Sequence, residues 1–227
     1  MEHVLLKISI MLVPALLAVT LHEVAHGFLA ERLGDPTARL LGRLSLNPVK
    51  HLDPIGTIAL LIFGFGWARP VPVNSNNLRK ARTGMIWVAL AGPAANLLLA
   101  LACAILLRSV VWVAAQLPEG SPVFPYIEPV GLMAAFGLYI NVVLCLFNLM
   151  PVPPLDGGRV VMGLLPQRQA QRLRRIEPFG MLIIVFLVFG IPSVRHGIFV
   201  AVHHVVALMA GSHMNVVEQT IRLLFYQ

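Results

Sequence analysis

The chain has 227 residues, of which 58% are hydrophobic and only 12% charged, with a mean hydropathy of +0.82. That balance excludes an ordinary soluble globule and identifies an integral membrane protein with one membrane domain. The formal charge of +7 does not argue for nucleic acid: of the 17 Lys and Arg, eight fall in 31–82 and five in 157–178, segments that alternate with apolar runs as positive-inside topology expects.

A first membrane span is predicted over about 4–33. From Val4 to Leu21 only Lys7, Ser9 and Thr20 interrupt the apolar run. The start mimics a secretory signal, with Ala15 to Ala18 near a plausible cleavage point. It has almost no basic leader, however, and cleavage there would remove the apolar body of the helix, so the segment is expected to stay. The run leads into His22-Glu23-Val24-Ala25-His26. On a helix the two histidines lie one turn apart on one face, close enough for both imidazoles to reach one zinc ion, while Glu23 can take a proton from water at the metal. Charged groups at membrane depth cost about 2.5–3.5 kcal/mol each on insertion scales, which argues for a buried metal site.

Gly34-Asp35-Pro36 is expected to end this helix. Residues 38–50 alternate polar and apolar around 43–46, which predicts a short strand or ribbon. Residues 54–67 are apolar but span only about fourteen positions and are broken by Gly56, Gly64 and Gly66, so a re-entrant or interfacial segment is expected. Residues 67–73 read as an extended piece leaving the membrane surface.

A second span is predicted over about 84–107, closed by Arg108. It carries Gly92-Pro93-Ala94-Ala95-Asn96, whose small residues permit close helix contact and whose Asn96 needs a hydrogen-bond partner. Residues 108–128, with one basic and two acidic side chains, belong outside. In a third span, about 130–150, Asn141 and Asn148 share a face, and either can hydrogen-bond an oxyanion or another helix. Prolines 151, 153 and 154 follow, so Asp156 is expected on irregular backbone, buried in protein or lining a cavity. The basic 157–178 segment returns to the cytoplasmic side. Residues 178–210 hold two apolar runs split by Pro192 and Arg195-His196, read as two short tilted helices rather than one kinked helix. Cys103 and Cys145 lie in apolar spans as small hydrophobes, with no disulfide framework implied. His203 and His204 read as interfacial or helix-contact residues, and His51 either faces water or lies near the site.

The fold class expected is an all-α polytopic membrane protein of about four to five transmembrane helices, with a short re-entrant or β-ribbon segment after the first helix. It forms a single domain over 1–227, with a catalytic core at about 4–160 and C-terminal membrane segments at about 178–211. A catalytic zinc needs three protein ligands and an open position. Asp156 is the best third ligand for His22 and His26, since it lies on a Gly-flanked turn at the cytoplasmic end of span three.

Taken together, His22-Glu23-Val24-Ala25-His26, Asn47-Pro48-Val49-Lys50-His51, Gly92-Pro93-Ala94-Ala95-Asn96 and the run from Asn148 through Leu155-Asp156-Gly157-Gly158 resemble the site-2 protease family of intramembrane zinc metalloproteases, in the expected order. The resemblance implies that His22, His26 and Asp156 bind one Zn2+ per chain, that Glu23 is the catalytic acid/base and that Asn148 helps hold the substrate carbonyl or oxyanion. It implies a zinc-dependent endopeptidase that cleaves transmembrane segments near the cytoplasmic side, in regulated intramembrane proteolysis. The chain looks like a compact prokaryotic member in the plasma membrane, with neither an inserted PDZ domain nor a C-terminal CBS pair. The expected partners are a substrate transmembrane segment and the lipid bilayer, not nucleic acid. Backbone pairing along 39–46 or 67–73 can hold the unwound substrate. The alternative is a membrane metal-binding or transport protein without peptidase activity, which needs the histidines and Asp156 but not Glu23.

Overall fold

The computed structural model describes residues 2–56 and 67–225, and its regular structure there is helical. In chain order the helices are α1 (Glu2–Arg32), a single turn α2 (Thr37–Leu40), α3 (Ala81–Gln116), α4 (Phe124–Asn148), α5 (Asp156–Leu164), α6 (Gln167–Arg174), α7 (Gly180–Val185), α8 (Pro192–Ala210) and α9 (Met214–Phe225). Among the described residues, four stretches are long and apolar enough to cross a membrane: Leu6–Arg32, Ala81–Gln116, Phe124–Asn148 and Pro192–Phe225. This is a multi-pass membrane protein.

The expected stop after α1 is present. Gly34 takes φ +114, and the Asp35 N–H closes on the Ala30 carbonyl at 2.9 Å. The expected ribbon over 38–50 is not. Among the described residues there is no strand, only an isolated antiparallel bridge between Leu52 and Ala68. Local side-chain bonds win over the weak alternation. The Asp35 carboxylate accepts the Thr37 N–H and starts α2, and Asn47 Oδ1 accepts the Val49 N–H at 3.0 Å and starts a 3-10 turn at Pro48–His51. Most of the expected re-entrant segment, residues 57–66, lies outside the described residues. The C-terminal apolar region divides as expected. α7 runs on as a π-helical turn, Phe186–Gly190, and stops before Pro192 opens α8.

The chain forms two compact units. In one, made of 1–18, 96–144 and 197–227, Leu107, Leu138, Val142, Val206 and Val217 are fully buried. A Cβ at Gly137 would lie 2.8 Å from Cys103 Sγ and 3.5 Å from Pro14 Cβ, so the bare glycine of α4 lets three helices approach closely. Asn96 finds its partner here, donating through Nδ2 to Asn141 Oδ1 at 2.8 Å and to the Ala18 carbonyl at 3.3 Å. Asn141 donates in turn to the Gly137 carbonyl at 2.8 Å.

The other unit comprises 19–95 and 145–196. Gly27 on α1 leaves room for Leu44 and Val71, whose side-chain carbons lie 2.6 and 2.9 Å from where a Cβ would stand. Asp35, fully buried, knots the end of α1 to the 74–77 turn. It accepts the Asn74 N–H at 2.6 Å, Asn77 Nδ2 at 2.9 Å, the Thr37 N–H at 3.1 Å and the Thr37 hydroxyl. Arg82 on α3 caps the far end of α5, donating to the carbonyls of Gly163, Leu164 and Leu165 at 2.6, 2.9 and 2.6 Å.

Candidate metal centre

The i, i+4 spacing of His22 and His26 places both rings on one face of α1, with their centroids 4.7 Å apart and nearly perpendicular. Their Nε2 atoms are 3.1 Å from each other, and each is 3.2 Å from Asp156 Oδ2. All three residues are buried. They are the histidine and carboxylate group, among the described residues, whose ligand atoms converge closely enough to hold an ion.

Asp156 arrives differently from the expectation. It is not on irregular backbone but is the first residue of α5. The loop before it bends on Pro151, Pro153 and Pro154, and Gly157 and Gly158 form the first turn of α5. A Cβ on Gly157 would collide with the Leu149 carbonyl oxygen, and one on Gly158 would come within 2.6 Å of the Val152 carbonyl carbon. The glycines therefore let the helix start directly against the preceding loop, which aims Asp156 at α1.

α3 forms the back of the site. His26 Nδ1–H donates to the Val88 carbonyl at 2.7 Å. A carbonyl can only accept, so this bond puts the proton on Nδ1 and turns the Nε2 lone pair toward Asp156. One turn further along, a Cβ at Gly92 would lie 2.6 Å from His22 Nε2 and still closer to His26 Nε2. No side chain larger than hydrogen fits there.

Asp156 Oδ2 is buried without a hydrogen bond, facing imidazole nitrogens of which at least that of His26 presents a lone pair. His26 Nε2 and Asp156 Oδ2, two acceptors 3.2 Å apart, repel unless a proton on His22 Nε2 or a cation sits among them. Ligands about 2.0–2.1 Å from a tetrahedral zinc are about 3.3 Å from one another, close to the 3.1–3.2 Å triangle observed. Two neutral imidazoles and a carboxylate suit zinc and leave a fourth position for water. The other oxygen of Asp156, Oδ1, is 3.9 Å from Arg159 Nη1.

Glu23 is half-buried, and its Oε2 accepts the Val71 N–H at 2.8 Å. Asn148 is half-buried as the last residue of α4. Asn141 is committed to Asn96, a helix-contact role. His51 is fully buried, with Nε2 donating to the Ser45 carbonyl at 2.8 Å, and is not one of the converging ligands. His203 is exposed on α8, as is His204, whose Nδ1 bonds the Val200 carbonyl at 2.8 Å. Sequence reasoning missed Val88 and Gly92 as parts of the site. The small-residue run at 92–96 was the available signal, but it pointed only to close helix contact.

Residues 10–130 and 122–191 match the family model described as Peptidase family M50. The chain is 43% identical over 180 residues to "Putative zinc metalloprotease YwhC" of Bacillus subtilis, covering 78% of each protein. It is 33% identical over 178 residues to "Putative zinc metalloprotease Rip2" of Mycolicibacterium smegmatis, covering 76% of this chain and 63% of that one. Rip2 of Mycobacterium tuberculosis H37Rv is 29% identical over 213 residues, covering 87% and 73%. No solved structure matches this chain. With the family model spanning most of its length and a close-set His22, His26 and Asp156 at the centre of that span, the chain belongs to peptidase family M50.

Proposed function

We propose that this protein is a zinc-dependent intramembrane endopeptidase that cuts transmembrane segments of other membrane proteins. The observation that carries this reading is the buried triangle of His22, His26 and Asp156, built partly on an apolar helix long enough to cross a bilayer. The family membership and the relatives described as zinc metalloproteases support it.

His22, His26 and Asp156 hold the metal. Zinc in such a site acidifies water and polarises a carbonyl. Glu23, beside the first ligand, takes the proton from the attacking water and passes it to the departing amine. The Val71 N–H on Oε2 fixes the carboxylate and leaves Oε1 for that exchange. Asn148 donates to the oxyanion that develops on the substrate carbonyl.

The substrate must unwind locally, because a helical peptide bond is shielded by its own hydrogen bonds. Backbone pairing along 67–73 is more restricted than the sequence suggests. The Arg69 N–H is taken by the His51 carbonyl at 2.8 Å, the Val71 N–H by Glu23, and Pro70 and Pro72 have none. Over 69–72 the backbone can offer a substrate only carbonyl acceptors, of which those of Arg69 and Pro70 already accept from Arg43 Nη2 at 2.8 and 3.4 Å. The charge distribution supports a site toward the cytoplasm, and the bacterial relatives support a place in the plasma membrane.

Cleavage of a single-span substrate in proteoliposomes tests the reading, with zinc measured on the same samples. Wild type should cut and Glu23→Gln should keep its zinc without cutting. A wild type that moves metal across the bilayer but never cleaves, with Glu23→Gln equally active, would favour a metal carrier.

A further inference from the structure

We propose that an open cavity beside the metal centre binds the phosphate group of an anionic phospholipid. The cavity, about 510 Å³, lies where the start of α3 meets α5 and α6, and its lining includes Arg82, Arg159 and Arg174 with Gln167 and Gln171. Among the described residues, no aspartate or glutamate lines it. Three guanidinium groups gathered around one space repel one another, and only Arg159 has an ion-pair partner among the described residues, Asp156. An anion in the cavity removes that repulsion, and a phosphate is the anion whose oxygens match several guanidinium donors at once.

Arg82 shows how the donors are disposed. Its Nε and Nη2 are spent on the last carbonyls of α5, whereas no hydrogen bond among the described residues involves Nη1. Gln167 and Gln171, one turn apart on α6, add amide donors on the same side as Arg174.

The apolar part of the lining and the place of the cavity select a lipid over a free phosphate. Met85, Met162 and Leu165 form an apolar wall beside the arginines. Ala81, also in the lining, opens the stretch Ala81–Gln116, which is long and apolar enough to cross a membrane, so the cavity stands at the end of an apolar span, where lipid headgroups would lie. Basic pockets between membrane helices are where anionic headgroups bind. Arg159 reaches both the cavity and Asp156 Oδ1, so a bound phosphate competes with a metal-centre carboxylate for one guanidinium.

Native mass spectrometry of delipidated protein tests this with phosphatidylglycerol, phosphatidylcholine or inorganic phosphate added back. Wild type should retain one phosphatidylglycerol and no phosphatidylcholine. Arg174→Glu should weaken phosphatidylglycerol retention about tenfold or more, whereas Arg168→Glu, the same charge change on α6 outside the cavity lining, should leave it within about twofold. Circular dichroism verifies folding, and Arg174→Gln replaces Arg174→Glu should the reversal fail to fold. Equal loss in Arg168→Glu, or retention of both lipids alike, overturns the proposal in favour of general surface attraction. Inorganic phosphate binding that Arg174→Glu abolishes, without retention of phosphatidylglycerol, overturns the lipid source and assigns the site to a free phosphate.

Discussion

The Val88 carbonyl holds His26 by its Nδ1–H at 2.7 Å, and Gly92, one turn along the same helix, lies bare against both imidazoles. α3 thus fixes the tautomer of one candidate ligand and the position of two, although it supplies none itself.

Gly92→Ala should therefore damage the metal site while the helix itself gains. Alanine in a helix is favoured over glycine by about 1 kcal/mol. At Gly92 the added methyl would overlap the histidine nitrogens, and an overpacked core side chain costs about 1–3 kcal/mol. We expect zinc affinity to fall about 10–100-fold, measured by competition with a chelator. Gly197→Ala, at an exposed position of α8 where a Cβ meets nothing within 4 Å, should leave affinity unchanged.

Glu23→Gln should separate chemistry from structure. Glutamine can still accept the Val71 N–H through its amide oxygen, so the 67–73 segment stays in place, but it cannot take a proton. Peptide cleavage should drop about 10²–10⁴-fold with zinc content unaltered. Glu23→Ala also loses the Val71 bond and should be less heat-stable than Glu23→Gln; equal stability of the two would remove Val71 from the account.

Asp35 sets an acid limit on the fold. Burial opposes its ionisation, but hydrogen bonds from Thr37, Asn77 and the backbone of Asn74 and Thr37 outweigh burial and hold the carboxyl below its ordinary range. A depressed folded pKa means that its contribution is fully present above the unfolded value, near pH 3.9, and is lost as pH falls through the folded value. Unfolding midpoints measured from pH 6 downward should fall below about pH 4 in wild type. In Asp35→Ala the stability should be low throughout, by about 3 kcal/mol, with that part of the pH dependence gone.

Asn141→Leu should cost stability but not chemistry. It leaves Asn96 Nδ2 without its 2.8 Å partner in an apolar bundle, worth about 1–2 kcal/mol. Zinc content and the turnover rate of the folded protein should match wild type. A turnover loss comparable to that of Asn148→Ala would instead place Asn141 at the oxyanion.

Much of the site was legible because its signals are local or chemically rare. His22 and His26 need only the helical repeat, and Asp156 stands out as an acid in a proline- and glycine-rich stretch between apolar spans. The need of Asn96 for a partner was also plain, since amides in hydrocarbon seldom stay alone. Its choice of Asn141 was not, because that depends on which helix faces come together. The same limit hid Gly92 and Val88, where one contributes a missing atom and the other a backbone carbonyl. Around residues 38–50 the reading failed because Asp35 and Asn47 side chains captured neighbouring N–H groups and turned a weakly alternating segment into helical turns. Asp156 went onto a helix rather than irregular backbone because two glycines allow α5 to start against its own loop.

The most direct test of the account is the zinc content of the purified protein and of His26→Ala and Asp156→Ala, each verified as folded. One zinc per chain is expected in wild type, with a loss of about 10-fold or more in affinity for either variant, uniting residues 130 positions apart in one centre. A folded wild type that takes up no zinc on reconstitution, or an Asp156→Ala that binds it as tightly as wild type, would contradict it.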